Sequence, residues 1–398
     1  MQMHGLTHHA KRLLARRAAP LAVAMLAAAP LPLVLGSTAA QSQVRVSGPV
    51  TAITLPRALR QGGGIDFANA IPMPLPAARD LPPSPSQATL PRQGFGQPGV
   101  SPGGPGNGQQ NPVTLVAPQD IPKGSGIEPE EFGTSIQPYT TSEVDANGDA
   151  TVSYYPFAAA GKLFFNVGSS TFVCSASLIT PGVVVTAAHC VANYGQSQFY
   201  TNWTFVPAYE NGDAFYGTWT AATAYVLTAY YNGTDNCAVY GVVCPDDVAV
   251  IVENPDGSGT YPGIYTGWLG YGWNGYGQNG LGQALINQLG YPVALDGGLL
   301  MQRNDSQGFV DSTSSNNTVI GSLMTGGSSG GPWLVNLGMP PSLSGISFGT
   351  YPDHNIVVHV TSWGYTDSTI KQQGASPFTD GNIVPLVNAA CSDIPGAC

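Results

Sequence analysis

Charged residues are few in this chain, and basic residues almost vanish after its first 156 positions. Asp, Glu, Lys and Arg make up only 9% of the 398 residues, and three of the 13 basic residues lie beyond position 156: Lys162, Arg303 and Lys371. The same stretch holds 14 acidic residues, so its formal charge is −11, from 3 minus 14. A surface of that sign repels phosphate, which argues against nucleic acid or an anionic membrane as a partner.

Long apolar runs are equally scarce, and the clearest one lies within the first 40 residues. A basic segment precedes the apolar run at 18–36, and small residues follow it at 37–40. This order is typical of a secretory signal peptide cleaved near Ala40. A membrane anchor is the alternative, but three prolines interrupt a run that is barely long enough to span a bilayer. We therefore predict a signal peptide at 1–40 and a secreted mature protein, extracellular or periplasmic, that is free of the membrane.

The sequence also lacks the Cys-x-x-Cys spacing that is typical of zinc sites. All six cysteines follow the predicted signal peptide, and an even number in an exported chain favours three disulfides. Six cysteines allow many pairings, and short separations favour three of them: Cys174–Cys190, Cys237–Cys244 and Cys391–Cys398. We expect no metal and no cofactor.

A sustained helical period is missing from most of the chain. Short β-rich runs such as 160–167, 171–179 and 182–186 follow one another, separated by turns rich in Gly, Pro and Ser. This rhythm predicts one all-β domain of about 245 residues at 154–398, built as a sandwich or a pair of barrels. Only the segment at 381–391 has a helical pattern.

Residues 41–153 are rich in Pro, Gly, Gln and Ala and show no sustained periodicity. Such a composition buries little apolar surface, so it predicts a disordered, low-complexity stretch. A flexible spacer is the simplest interpretation, and a propeptide or a segment that crosses a cell wall is the alternative.

Histidines are few as well, since only three follow the predicted signal peptide. One of them, His189, lies in Thr186-Ala-Ala-His-Cys190, directly after an apolar strand and beside a cysteine that can fix its loop. A loop histidine by itself is usually incidental. A hydrolytic serine needs a base, however, and histidine is the most frequent one. His189 is therefore the candidate general base.

An aspartate opens the next apolar strand, Val248–Val252. A buried carboxylate is costly unless it is hydrogen-bonded, and an imidazole is a suitable partner. Asp247 directly abuts the strand, whereas Asp246 is expected to be more exposed. Taken alone, Asp247 would be an ordinary turn residue before a strand.

Two adjacent serines lie in the glycine-rich turn Thr325-Gly-Gly-Ser-Ser-Gly-Gly-Pro-Trp333. Its glycines permit positive φ and let a substrate backbone approach closely. The backbone amides of Gly327 and Ser329 can then point at one spot and form an oxyanion hole. Such a segment alone is usually only a loop.

Together, the three motifs resemble those of the chymotrypsin-like serine peptidases. Thr-Ala-Ala-His-Cys, Asp-Val-Ala-Val and Gly-x-Ser-Gly-Gly-Pro occur in the order His, Asp, Ser within residues 154–398. The resemblance implies two six-stranded antiparallel β-barrels, a site between them and a short C-terminal helix. It also implies a secreted, monomeric endopeptidase that cleaves polypeptides through an acyl-enzyme. Its catalytic residues would be Ser329 as nucleophile, His189 as base and Asp247 as the partner of the histidine.

The pattern is closer to the bacterial and fungal branch that includes glutamyl endopeptidase than to the digestive enzymes. Digestive members carry an aspartate before the nucleophile, where it pairs with a newly formed amino terminus. Ser328 occupies that position here, so activation by that ion pair is not expected. Gln288-Leu-Gly-Tyr-Pro292 also resembles a segment of this branch.

The resemblance further implies the residues that bind the substrate. The strand expected to pair with the substrate backbone holds Ser362, Trp363 and Gly364. Leu323 is expected at the base of the specificity pocket, which disfavours Arg or Lys before the cut. Thr361 replaces the histidine of glutamyl-specific members, and His359 is expected to be structural. We predict a preference for a neutral or apolar residue before the cut.

Two other functions are compatible with parts of the sequence. A catalytically silent member of the fold would bind a protein or glycan through the Tyr- and Trp-rich region 261–276. Three intact catalytic residues argue against it. An esterase would use the same acyl chemistry, but the α/β-hydrolase architecture requires alternating helices that the sequence does not show.

Overall fold

The computed structural model describes residues 42–56, 64–78, 81, 96–116, 137–146, 148–338, 351–367 and 369–398. They belong to one compact unit, Ala40–Cys398. The predicted signal peptide and much of the Pro/Gly-rich stretch lie outside the described residues.

The described residues form mostly β-structure with three short α-helices. In chain order the strands are β1 (Gln43–Ser47), β2 (Val50–Thr54), β3 (Ile71–Pro72), β4 (Ala77–Ala78), β5 (Gly99–Ser101), β6 (Val113–Thr114), β7 (Tyr139–Glu143), β8 (Ala160–Val167), β9 (Ser170–Leu178), β10 (Val183–Thr186), β11 (Ala192–Asn193), β12 (Gln198–Phe199), β13 (Thr201–Pro207), β14 (Tyr209–Glu210), β15 (Asp213–Ala214), β16 (Trp219–Leu227), β17 (Ala249–Glu253), β18 (Gly270–Trp273), β19 (Gln283–Gly290), β20 (Gln302–Asp311), β21 (Asn317–Gly321), β22 (Pro332–Val335), β23 (Ile356–Tyr365) and β24 (Gln372–Pro377). The α-helices are α1 (Thr228–Asn232), α2 (Pro262–Thr266) and α3 (Ile383–Asp393).

The first barrel contains six antiparallel strands. They pair in the order β16, β13, β8, β9, β10 and β17, and β17 returns to β16 to close the barrel. Its centre is apolar because β-branched residues fill the strands. Val183, Val184 and Val185 of β10 are fully buried between β9 and β17.

The second barrel closes in the same way. Its strands pair in the order β22, β19, β20, β21, β24 and β23, and β23 returns to β22. The prediction of two six-stranded antiparallel barrels is therefore confirmed. The predicted C-terminal helix is α3, which packs against β16 and β17 of the first barrel. Its buried positions have helical spacing: Ile383, Leu386, Val387 and Ala390.

Described parts of the Pro/Gly-rich stretch add strands to both barrels, which sequence reasoning missed. β2 pairs with β16, β3 with β9, β4 with β23 and β7 with β20. The first of these pairings buries Val50, Ala52 and Ile53. Strands of two to five residues lack a detectable period, and they are stabilised here by the barrel edges on which they lie.

Three disulfides join the six cysteines as the short separations predicted: Cys174–Cys190, Cys237–Cys244 and Cys391–Cys398. Among the described residues, no helix is both long and apolar enough to cross a membrane.

Candidate active site

His189 lies in a single 3₁₀ turn, Ala188–Cys190, that follows β10 directly. The Cys174–Cys190 disulfide ties this turn to β9, and the Trp203 indole donates a hydrogen bond to the Cys190 carbonyl at 3.1 Å. The histidine side chain is almost fully buried. Its position is therefore fixed by a covalent bridge on one side and by the barrel on the other.

Asp247 lies just before β17 and accepts three hydrogen bonds. Its Oδ1 accepts from the backbone N–H of His189 at 2.8 Å, and its Oδ2 lies 2.8 Å from His189 Nδ1. The Ser362 hydroxyl also donates to Oδ2, at 2.6 Å. Three donors thus hold this buried carboxylate in one orientation. With Oδ2 as acceptor, the ring proton of His189 is placed on Nδ1, which leaves Nε2 free to act as a base.

Asp246 has a different environment from that of Asp247. Its side chain is only partly buried, and burial raises its pKa to about 6. Its backbone N–H binds the carboxylate of Asp235, whose pKa is raised to about 7 by burial and by the charge of Asp246. This pair lies beside the site and does not touch the histidine through any hydrogen bond recorded for the described residues.

The serine turn is held close to the histidine loop by two glycines with positive φ. Gly327 has φ 92° and Gly330 has φ 76°. A Cβ on Gly330 would lie 2.0 Å from the Thr186 hydroxyl oxygen, so only glycine allows the turn to approach β10 this closely. The carbonyl of Ser329 accepts a hydrogen bond from the Ser175 N–H of β9 at 2.8 Å.

The two adjacent serines have different hydrogen bonding. Ser328 donates its hydroxyl to the Thr325 carbonyl at 2.7 Å and is thereby occupied within the turn. The Ser329 hydroxyl is buried and has no hydrogen-bond partner, and the same is true of His189 Nε2. Buried polar atoms without partners are rare and often mark a functional site. The two unpartnered atoms are the ones between which a serine hydrolase transfers a proton.

The strand β23, which sequence reasoning expected to pair with the substrate backbone, also makes contacts with other parts of the site. Gly364 donates its N–H to the Pro76 carbonyl at 3.1 Å, and Trp363 is buried with its indole N–H bonded to Asn317 at 2.8 Å. Ser362, predicted to bind substrate, donates its hydroxyl to Asp247. No local signal shows this contact, because 115 residues separate the two positions. Leu323, predicted at the base of the pocket, is partly buried.

A buried polar network lies beside these residues and was also missed. The Gln288 side-chain amide donates to Thr361 at 3.0 Å and to Gln373 at 2.6 Å, and Ser322 donates to the Gln288 oxygen at 2.8 Å. Each of these groups is uncharged. The network therefore fixes the orientation of β23 without adding a charge to the region.

His359 has a structural environment, as expected. Its Nε2 lies 2.7 Å from the Thr318 hydroxyl and its ring lies 6.0 Å from that of Trp333. Burial lowers its pKa to about 3, so it stays neutral at ordinary pH.

Two closed six-stranded antiparallel barrels define the class: the fold resembles that of the chymotrypsin-like serine peptidases, as the motifs predicted.

Comparisons with known proteins give similarities of moderate extent. No family model matches the chain. An extracellular metalloprotease of Bacillus subtilis is 27% identical over 148 residues, which is 35% of this chain and 42% of that protein. The match thus spans less than half of that relative. The protease Anisep from Arthrobacter nicotinovorans is 28% identical, with a TM-score of 0.47 over 59% of this chain and 96% of that chain. A Glu endopeptidase solved in complex with MPD is 21% identical, with a TM-score of 0.44 over 66% of this chain and 98% of that chain.

Proposed function

We propose that the protein is a secreted serine endopeptidase that uses Ser329, His189 and Asp247 as a catalytic triad. The observation that carries the proposal is the pairing of His189 Nδ1 with buried Asp247 at 2.8 Å, together with the buried, unpartnered Nε2 and Ser329 hydroxyl. A carboxylate that orients a histidine towards a free serine is the arrangement that acyl transfer requires.

The reaction follows from these positions. Ser329 Oγ attacks the scissile carbonyl while its proton passes to His189 Nε2. The backbone amides of Gly327 and Ser329 bind the resulting oxyanion. The proton then passes from Nε2 to the leaving nitrogen as the C–N bond breaks, which leaves an ester on Ser329. Water gives a proton to the same nitrogen as it attacks the ester, and this proton passes to Ser329 Oγ as the acyl C–O bond breaks, which releases the acid product and restores the hydroxyl.

Asp247 acts through the histidine in this scheme. Its Oδ2 holds Nδ1–H and stabilises the imidazolium that forms when Nε2 takes the proton. Its Oδ1 anchors the backbone of the same residue. Both the ring and the main chain of His189 are thereby fixed by one side chain.

A silent binding protein is less well supported. That function needs exposed aromatic residues in 261–276, but the chain covers two of the tryptophans itself. A Cβ on Gly99 would lie 2.2 Å from Trp273, and one on Gly104 would lie 2.8 Å from Trp268. These rings are therefore packed against the segment that contains β5.

A metal-dependent reaction has no specific support from the described residues. Two groups of possible ligands are close enough to share an ion: Cys174, His189 and Cys190, and Asp235, Cys237 and Cys244. In each group the two cysteines form a disulfide with one another, so they offer no thiolate.

Labelling with a fluorophosphonate tests the serine mechanism, because the reagent modifies activated serines. We expect modification of Ser329 in the folded protein and none in Ser329→Ala. Ser328→Ala is the matched control, since it removes the neighbouring hydroxyl and should still be labelled. Labelling that follows Ser328, or that persists in Ser329→Ala, contradicts the assignment.

The proposal includes a preference for a neutral or apolar residue before the cut, supported by Leu323 and by the uncharged Gln288 network. Mass spectrometry of peptide-library digests measures it. Predominant cleavage after Glu or after Arg would refute this preference without affecting the serine mechanism.

A further inference from the structure

Residues 64–78, here called the strap, run from one barrel to the other across the candidate site. On the first barrel, β3 of the strap pairs parallel with β9, with Ile71 opposite Phe172. The Met73 N–H donates to the Val173 carbonyl at 2.8 Å. Upstream, the ring of Phe67 packs edge-on against Phe164 at 4.9 Å.

The middle of the strap lies on the serine turn. The Met73 carbonyl accepts a hydrogen bond from the Gly327 N–H at 3.0 Å. This is one of the two amides assigned to the oxyanion hole. A Cβ built on Gly326 would lie 3.0 Å from the same carbonyl oxygen, so the strap is in close contact with the turn.

The end of the strap lies on β23, the strand expected to pair with substrate. The Gly364 N–H donates to the Pro76 carbonyl at 3.1 Å, and β4 pairs parallel with Gly364 and Tyr365. Ala78 is 1% exposed and belongs to a cluster with Trp363 and Phe309. A bound peptide would use the Gly364 N–H on the second barrel and the Gly327 N–H on the serine turn. Both groups already donate to carbonyls of the strap.

We propose that the strap is a built-in inhibitor that keeps the peptidase latent until it is displaced. This inference rests on the proposed function, because it assumes that the occupied cleft is where polypeptides are cleaved. Ser329 has no exposed surface, so a substrate carbonyl cannot reach its hydroxyl in this arrangement. Displacement of the strap would free the Gly327 and Gly364 amides together.

The sequence of the strap suits a segment that occupies a cleft. Pro72, Pro74 and Pro76 alternate with apolar residues. Proline fixes φ near the extended range and reduces the freedom of the unbound chain, so less entropy is lost when the strap lies in the cleft. In the first half of the strap, Phe67 and Pro72 line a small cavity together with buried Lys162 of the first barrel.

The test compares the rate of fluorophosphonate labelling of Ser329 in the full chain and in Ala78→Glu. A carboxylate among the rings around Ala78 is costly to bury, so this variant should release the second half of the strap. We expect labelling and peptide hydrolysis to become faster by about tenfold or more, as the competent fraction rises. Ile71→Glu is the matched control, because that side chain is already 46% exposed and the rate should stay near wild type.

A synthetic peptide of residues 64–78 completes the experiment. Added to Ala78→Glu, it should slow labelling again, whereas the same peptide with Glu at position 78 should not. If wild type is labelled as fast as Ala78→Glu while both are folded by circular dichroism, the strap proposal is wrong and the peptidase proposal stands. If no form is labelled or hydrolyses peptides, both proposals fail.

If Ala78→Glu does not fold, wild-type protein is cut instead with an arginine-specific protease, whose sites at Arg60 and Arg79 flank the strap. Activity that does not rise after the strap is excised overturns the inhibitor role.

Discussion

Replacement of Asp247 by asparagine probes the hydrogen bonds that orient the candidate base. An asparagine has one oxygen and one NH₂ group in place of two equivalent oxygens. The backbone N–H of His189 occupies the Oδ1 side at 2.8 Å, so the asparagine oxygen must stay there. Its NH₂ group then faces Nδ1, where the carboxylate Oδ2 lies now at 2.8 Å. Nδ1 must become an acceptor, and the ring proton must move to Nε2.

A protonated Nε2 cannot take the proton of Ser329, so the variant should lose most of its turnover. In the serine-protease example on which the triad scheme is based, this change of tautomer lowers kcat by about 10⁴-fold. That corresponds to roughly 5.5 kcal/mol of transition-state stabilisation. Stability should change much less, by about 1–2 kcal/mol, because hydrogen bonds of similar geometry replace those of the carboxylate.

The assay is kcat/KM for a chromogenic peptide ester, measured in the Ala78→Glu background so that the strap does not limit access. Asp246→Asn is the matched control, because this neighbour lies outside the proposed triad and should leave turnover near that of the parent. Retention of more than about a tenth of the activity by Asp247→Asn would refute the reasoning. So would a large loss in Asp246→Asn alone.

Two further changes test the packing around the site. Gly330→Ala should destabilise the protein by about 3 kcal/mol or more, because its Cβ would overlap the Thr186 hydroxyl and because φ is positive at this residue. A melting temperature equal to that of wild type in calorimetry would contradict the close approach of the serine turn to β10. The second change is His359→Gln. The pKa of His359 is lowered to about 3 in the folded protein from an ordinary value near 6.5. Its contribution to the free energy of unfolding is therefore present above about pH 6.5 and is lost as pH falls towards 3. Wild type should therefore exceed His359→Gln in free energy of unfolding by roughly 2–3 kcal/mol less at pH 4.5 than at pH 7. Denaturant titrations at the two pH values measure this difference. A difference that does not change with pH would show that His359 is not buried in its neutral form.

Sequence reasoning selects candidate residues by their immediate neighbours. His189 is selected because it follows an apolar strand, Asp247 because it precedes one, and Ser329 because glycines surround it. The rhythm of short strands and turns predicts an all-β domain, the family resemblance implies the two barrels, and the disulfides follow from short separations.

Contacts between distant segments could not be predicted in the same way. The hydrogen bond from Ser362 to Asp247 joins residues 115 positions apart, and the Gln288 amide reaches Gln373 across 85. The strap is a sharper example. Its strands have only two residues each, and Pro and Ala are typical of linkers, so nothing local indicates that Met73 contacts Gly327. The tertiary structure determines the role of such segments.

The pairing of β2 with β16 has a practical consequence for the production of the protein. A recombinant chain that began at Tyr154 would lack β2, and residues 223–227 of β16 would lose their partner on that side. Unpaired strand edges recruit other chains, and the apolar surface now under Val50, Ala52 and Ile53 would face water. Such a shortened protein should associate with copies of itself, so solubility depends on β2, a strand that lies outside the predicted peptidase domain.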